Sequence, residues 1–446
     1  MKNRNTFYFF IIFLAFNSQI VCQTNIPKWA YDATIYEVNI RQFTIEGTFK
    51  AFEEHLPRLH ELGVDILWLM PVHPIGELNR KGTLGSYYSV KDYKGINPEF
   101  GTPDDFKSLI NKIHSLNMYV IIDWVANHTS WDNTWVEEFP EFYTRDEKGN
   151  FVPPVEDWSD VIDLNFDNKE LWTEMAGALK FWVEEYDLDG FRCDFAGMVP
   201  VEFWNFVRPQ LDKIKDVFML AEWDTPELHE NAFDMTYDWQ MHKIMNNIYG
   251  GTNTVSDLIN HIEQDRSRYP GYAFRMQFTD NHDENTWNGT VFERLGNAAE
   301  TFAALTYTIP GMPLIYSGQE TGNNKRLEFF EKDPIEWNIH SFEELYKSLN
   351  KLRKDNPALW SGIKGGDFQI VPNTTPGEVF TFLRSIGDNT LFMVFNLSDQ
   401  PVETELKNNL ADGDYREFFT QKFAEVIAMA KSIKLQPWEY RVYIKL

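Results

Sequence analysis

A chain of 446 residues with an apolar share of 43% and a formal charge of −26 can bury a large core and carry one smaller module. The sign of that charge argues against nucleic acid and anionic membrane surfaces as partners, and favours a neutral ligand. An aromatic share of 16%, with 15 Trp, exceeds what a core needs, and flat rings of this kind stack on the apolar faces of sugars. The only cysteines are Cys22 and Cys193, so no disulfide framework supports the fold.

The N-terminus carries Lys2 and Arg4, an apolar run from Phe7 to Phe16, then Asn17-Ser18-Gln19. This is the pattern of a secretory signal over residues 1–22, with cleavage before Gln23. The run is too short to span a bilayer, which takes about 20 residues, so no membrane insertion is expected after processing. Ile20-Val21-Cys22 also resembles a lipoprotein box, which makes a lipid anchor through Cys22 the alternative to soluble export.

Ala33 to Val38 then reads as a first strand, Phe49 to Leu62 as an amphipathic helix stopped by Gly63, and Val64 to Met70 as a buried strand. A Gly-rich loop, Gly76 to Gly85, leads to Ser86-Tyr87-Tyr88. Thr102 caps the next helix, with Pro103 first inside it and Asp105 three residues on from the cap. Met118 to Trp124 is the third strand, running on into Asn127-His128. Periodicity fails from Thr129 to Phe166, a stretch too long for a plain connection, so 129–166 is expected as a short protruding subdomain. Asp167 is the expected cap of a helix reaching Tyr186.

Two strands then end on acids. Gly190-Phe191-Arg192-Cys193-Asp194 places Arg192 and Asp194 on one face. An Arg in that position orients Asp194 and is expected to hold it ionised. After a helix from Val201 to Ile214, Val217 to Trp223 carries Glu222 at its end. Later strands are Phe233 to Tyr237, Ala273 to Phe278 and Met312 to Tyr316, and the last helix is Phe342 to Asp355. The alternation predicts an α/β chain. Its catalytic (β/α)8 TIM barrel spans 23–128 and 167–361, with the protruding subdomain after strand 3. Beyond residue 362 the period becomes two, as in Trp438 to Leu446, so 362–446 reads as a C-terminal antiparallel β domain, sandwich-like.

Asp123 to His128, Gly190 to Asp194, Glu222-Trp223, and Phe278-Thr279-Asp280-Asn281-His282-Asp283 occur in that order. With Asp163-Leu164-Asn165, Gly311-Met312-Pro313 and Gly318-Gln319-Glu320, the set resembles the signature regions of the α-amylase family of glycoside hydrolases. Cleaving a glycosidic bond with retention needs one carboxylate and one carboxylic acid roughly 5–5.5 Å apart. Acids ending adjacent strands, about 4.8 Å apart, meet that condition. Asp194 is therefore the expected nucleophile and Glu222 the general acid, kept protonated by Trp223 and the apolar run before it.

The resemblance implies that Asp283 grips sugar hydroxyls and stabilises the transition state, and that His128 and His282 donate to the same ring. It also makes Tyr88 the stacking platform, with Tyr87 as competitor. The expected substrate is an α-1,4-glucan: starch, maltodextrin or a related oligosaccharide. A glucan transferase or isomerase is the alternative, and a non-catalytic carbohydrate-binding protein would be expected to lack at least one of the three acids.

No cofactor is expected. Many members of the family bind calcium through the Asn of the first region and a His after the nucleophile; here Asn127 is present, but the His position is Met198, a poor ligand for a hard cation. Asp157, Asp160 and Asp163 stand as an alternative cation site. Gly197 occupies the place of a Lys that touches the leaving-group sugar in many members.

Overall fold

The computed structural model describes residues 26–426 and 432–446, so the expected signal segment and Cys22 lie outside the described residues. Eight parallel strands close into a barrel: Ile35–Val38, Ile66–Leu69, Tyr119–Val125, Gly190–Asp194, Phe218–Ala221, Met235–Tyr237, Phe274–Gln277 and Met312–Tyr316. Each pairs with its sequence neighbours and the last closes on the first, with Ile35 beside Leu314. Among the described residues no helix is long and apolar enough to cross a membrane.

Alternation along the strands sorts their side chains into two cores. Ile35, Ile66, Ile121, Leu220, Met276 and Leu314 fill the barrel interior. Tyr36, Leu67, Val120, Ile122 and Phe191 point outward into the layer covered by the helices. Above the inner apolar layer, Glu37, Asp123 and Arg192 also face inward, all three fully buried. Three charged groups at the rim end of a packed barrel mark the face where chemistry is built.

The fourth strand leaves no room for a side chain at one position facing the fifth. Gly190 lies opposite Phe218 at φ +152°, and a Cβ there would fall 1.9 Å from the Phe218 carbonyl oxygen. Gly190→Ala is expected to destabilise the protein by about 3 kcal/mol, the upper end of the usual cost of overpacking, because the obstacle is backbone and cannot rotate away. A denaturant midpoint unchanged from wild type would contradict this.

Several element boundaries differ from expectation. The helix expected over Phe49 to Leu62 is two, Phe49–Glu53 and Leu56–Leu62, because Pro57 has no N–H to bond the Glu53 carbonyl. Asn168, not Asp167, caps Lys169–Tyr186, its side chain accepting from the Glu170 amide. The helix after the fourth strand ends at Leu211. The capping box of Thr102 and Asp105 forms as expected. Segment 129–166 contains the ribbon His128–Ser130 with Val161–Asp163 and the short helix Thr134–Glu138.

The C-terminal residues form a six-stranded antiparallel sheet and a separate ribbon, Val402–Thr404 with Ile433–Leu435. The sheet is fastened to the barrel by polar groups as well as by packing. Arg384 on strand Val379–Ile386 is buried and donates to the carbonyls of Thr308 (3.1 Å) and Trp360 (3.4 Å). Burial and the nearby Arg353 pull its pKa down to about 9. Thr301 donates to the Trp438 carbonyl, and the Trp438 ring packs against Phe302 and Tyr249.

Candidate active site

The site is assembled on the guanidinium of Arg192. Its Nη1 donates to Asp123 Oδ1 at 2.9 Å and to Asp194 Oδ1 at 3.0 Å, while Nη2 lies 3.0 Å from Glu222 Oε2. Nε donates to the Tyr237 hydroxyl at 3.2 Å, and the guanidinium sits 4.9 Å from the Trp68 ring centroid. Asp194 and Glu222 are thus held on two arms of one rigid fork. Asp194 Oδ2 is buried and has no hydrogen-bond partner, leaving one carboxylate oxygen that the protein itself does not engage.

Arg192 orients Asp194 as expected, but it does not by itself hold that acid ionised. Burial pushes the Asp194 carboxyl well above the usual range, the charge of Glu222 adds to this, and Arg192 only partly offsets it. One cation is shared among three buried acids. Burial raises Glu222 too, against Arg192 and with Asp283. Asp194 and Glu222 therefore titrate as a pair that retains a proton above ordinary carboxylate values.

The turn after Asp194 serves Glu222. Phe195 adopts a left-handed conformation, φ 41°, and its amide donates to Glu222 Oε2 at 2.8 Å. The strain at a non-glycine residue is thereby coupled to a hydrogen bond on the acid. Phe195, Glu222, Trp223, Asp224, Trp239 and Asp283 line a cavity of about 450 Å³. Gly197 explains the missing Lys: a Cβ there would lie 2.1 Å from the Trp223 ring. The indole covers the position from which a longer side chain would emerge.

On the other side of Asp194, Tyr88 donates to Asp123 Oδ2 at 3.0 Å and its hydroxyl lies 2.8 Å from His282 Nε2. Tyr87 instead packs beneath Arg41, 4.1 Å from guanidinium to ring centroid, which removes it from the site. His282 Nδ1 is 2.5 Å from Glu37 Oε1 and Nε2 is 3.4 Å from Asp283 Oδ2. Burial disfavours charge on His282, but Asp283 and Glu37 outweigh it and lift its pKa to about 9. His282 is an imidazolium at neutral pH. His128 is a neutral ring, drawn down to about 4 by burial, with Asn127 Nδ2 3.3 Å from its Nδ1.

Of the expected site residues, Arg192, Asp194, Glu222, Tyr88, His282 and Asp283 are joined by this network, with Trp223 on the cavity wall. His128 packs edge-on against Trp158, which in turn meets Phe195 beside Glu222. Glu37, Asp123 and Tyr237 had no assigned role in the sequence reading. The first two carry a readable signal: a carboxylate inside an otherwise apolar buried strand.

The residues do not fit a hard cation. Met198 is exposed, and its thioether is a poor oxygen substitute. Asp160 pairs with Lys81 Nζ at 3.0 Å, and the same ammonium donates to the Asp157 carbonyl at 2.8 Å, so Lys81 supplies the positive charge there. Among the described residues Asp238, His261 and Asp265 form one compact group of metal-capable atoms. Arg275 already faces it, with Nε 2.7 Å from Asp265.

Residues 23–158 and 154–368 match the family described as alpha amylase, catalytic domain, and residues 368–442 match the maltogenic amylase C-terminal domain. The chain therefore belongs to the α-amylase catalytic-domain family. A noncanonic maltogenic α-amylase from Thermotoga neapolitana superposes with a TM-score of 0.86 at 31% identity, over 93% of this chain and 99% of that one. An α-amylase from Lactobacillus plantarum gives 0.83 at 31% identity, with the same coverages. The α-amylase MalA of Haloarcula japonica is 27% identical over 87% of this chain, which spans 60% of the length of that relative.

Proposed function

We propose that the protein is a retaining glycoside hydrolase of α-1,4-linked glucans such as starch and maltodextrins. The observation that carries this reading is the pair Asp194 and Glu222 on one guanidinium, with Asp194 Oδ2 unpartnered. In the first step Asp194 Oδ2 bonds to the anomeric carbon while the glycosidic C–O bond breaks, and Glu222 gives its proton to the departing oxygen. In the second, Glu222 takes a proton from water, whose oxygen displaces Asp194 and restores the α-anomer. The His282 imidazolium and the Asp283 carboxylate are placed to hold hydroxyls of the same sugar, and Tyr88 offers it a ring face.

A sugar acceptor in place of water gives the transferase reading, and one feature favours it as a second activity. The cavity around Glu222 is walled by Phe195, Trp223 and Trp239, surfaces suited to an incoming sugar. All three acids are present, which leaves a purely binding role without support. Export from the cytoplasm rests on the pattern from Lys2 to Gln19 alone.

Incubation with soluble starch, maltoheptaose and cyclodextrin, followed by product sizing and NMR of the fresh anomer, tests the reading. Products released as α-anomers are expected, with chains longer than maltoheptaose appearing at high substrate. Initial release of β-anomers would overturn the retaining mechanism. A narrower test uses Gly197→Ala. The added methyl would displace the Trp223 indole from the wall beside Glu222, so kcat/KM for maltoheptaose is expected to fall about tenfold, while the ratio of transfer to hydrolysis changes. An unaltered product ratio would show that Trp223 does not line the acceptor path.

A further inference from the structure

Glu37 takes no part in the two-carboxylate chemistry, yet it is fully buried on the first strand, Ile35–Val38. Its backbone is pinned, the carbonyl accepting from both the amide and the hydroxyl of Ser317. On its side chain, Oε1 meets His282 Nδ1 at 2.5 Å and Oε2 has no hydrogen-bond partner. A carboxylate buried on so few contacts is tolerated when its partner carries the opposite charge. Burial raises the Glu37 carboxyl, and the charges of His282 and Arg192 oppose that rise.

Among the described residues, the groups that meet the two ring nitrogens of His282 are acceptors. Nδ1 faces Glu37, while Nε2 faces the Tyr88 hydroxyl at 2.8 Å and Asp283 Oδ2 at 3.4 Å. The single Tyr88 proton is given to Asp123 Oδ2 at 3.0 Å, which leaves only lone pairs toward His282. Acceptors on both sides call for a hydrogen on both nitrogens. Asp123 in turn accepts from Arg192 Nη1, the same nitrogen that donates to Asp194. One chain of hydrogen bonds therefore runs from Glu37 through His282, Tyr88, Asp123 and Arg192 to Asp194, and its direction is set at the Glu37 end.

We propose that Glu37 is a positioning residue, which keeps both His282 nitrogens protonated and so turns the Tyr88 hydroxyl toward Asp123. Its effect on rate rests on the α-glucan hydrolase reading; the state of the ring does not. With a neutral side chain at position 37, one proton on Nδ1 suffices and Nε2 becomes an acceptor. Tyr88 must then divide its only proton between Nε2 and Asp123, and the ring no longer donates toward a sugar. The other charges around the ring do not replace Glu37. Asp283, Asp123 and Glu222 favour its second proton, while Arg192 and burial oppose it.

The test reads the ring ¹⁵N signals of His282, assigned by their loss in His282→Asn, alongside kinetics on maltoheptaose. At neutral pH both nitrogens are expected to be protonated in wild type and only one in Glu37→Gln. In that variant kcat/KM is expected to fall about tenfold at neutral pH, with the deficit shrinking toward acid pH as the ring regains its second proton. Glu37→Asp keeps the charge at a greater distance. It is expected to retain the doubly protonated ring and most of the activity at neutral pH, with the second proton lost below the wild-type value of about 9. A wild-type ring with one protonated nitrogen, or a Glu37→Gln ring that keeps two, overturns the proposal, as does a rate deficit equal at every pH. Should Glu37→Gln not fold, an unmoved ring titration in Glu37→Asp overturns it instead. If wild type leaves maltoheptaose uncut while the ring behaves as expected, the hydrolase reading falls and the hold of Glu37 on His282 stands.

Discussion

Asp194→Asn is expected to lower kcat on maltodextrin by at least about 10⁴-fold, and Glu222→Gln by about 10²–10⁴-fold, both with the fold intact. The two losses should separate by leaving group. A glycosyl fluoride departs without protonation, so it should restore much of the first step to Glu222→Gln and none to Asp194→Asn. Folding should tolerate both changes, since each replaces a buried acid whose ionisation is already opposed by its surroundings. Equal rescue of the two variants would remove the assignment of roles.

The same pair fixes the shape of the pH profile. Activity needs one proton on the pair, and burial raises both acids above their ordinary values of 3.8 and 4.5. The acid limb should therefore lie above the range of a free carboxylate, where the pair takes up its second proton. The alkaline limb falls where the pair loses its last proton.

Arg192→Gln is expected to cost about 3–5 kcal/mol of stability at neutral pH, because it strands Asp123, Asp194 and Glu222 without their shared cation. The deficit should depend on pH in a defined direction. Asp123 and Asp194 already have folded pKa values raised above 3.8, so the stability they contribute is full below that value and is lost as pH rises through the raised ones. Without Arg192 they rise further, and the gap from wild type should widen from acid to neutral pH. Urea midpoints at two pH values measure this, and a gap independent of pH would contradict it. Arg192→Lys should recover only part, since a single ammonium cannot serve all three acids in the geometry of a planar fork.

Much of this was legible before any coordinates. Asp194 and Glu222 stand at the ends of apolar strands, and an acid in that position is hard to explain by packing. The strand and helix alternation carried the barrel, and Gly63 and Thr102 marked helix ends correctly. Pro57 was also visible, yet an apolar stripe continuing through it masked the break. The charge balance at Arg192 was not legible, because Asp123, Asp194 and Glu222 lie on three strands and only closure of the sheet brings them to one guanidinium. Glu37 and His282 are 245 positions apart, so local pattern could not join them.

Arg384 has a consequence for how the molecule comes apart. Its guanidinium, rooted in the C-terminal sheet, is buried against carbonyls of the barrel, with Arg353 and Asp367 nearby. Loosening the sheet while the barrel stands would strip those oxygens of their donor and leave the guanidinium without its acceptors. Half-melted forms are therefore penalised from both sides, and heating should reveal one cooperative calorimetric transition covering catalytic and accessory portions together.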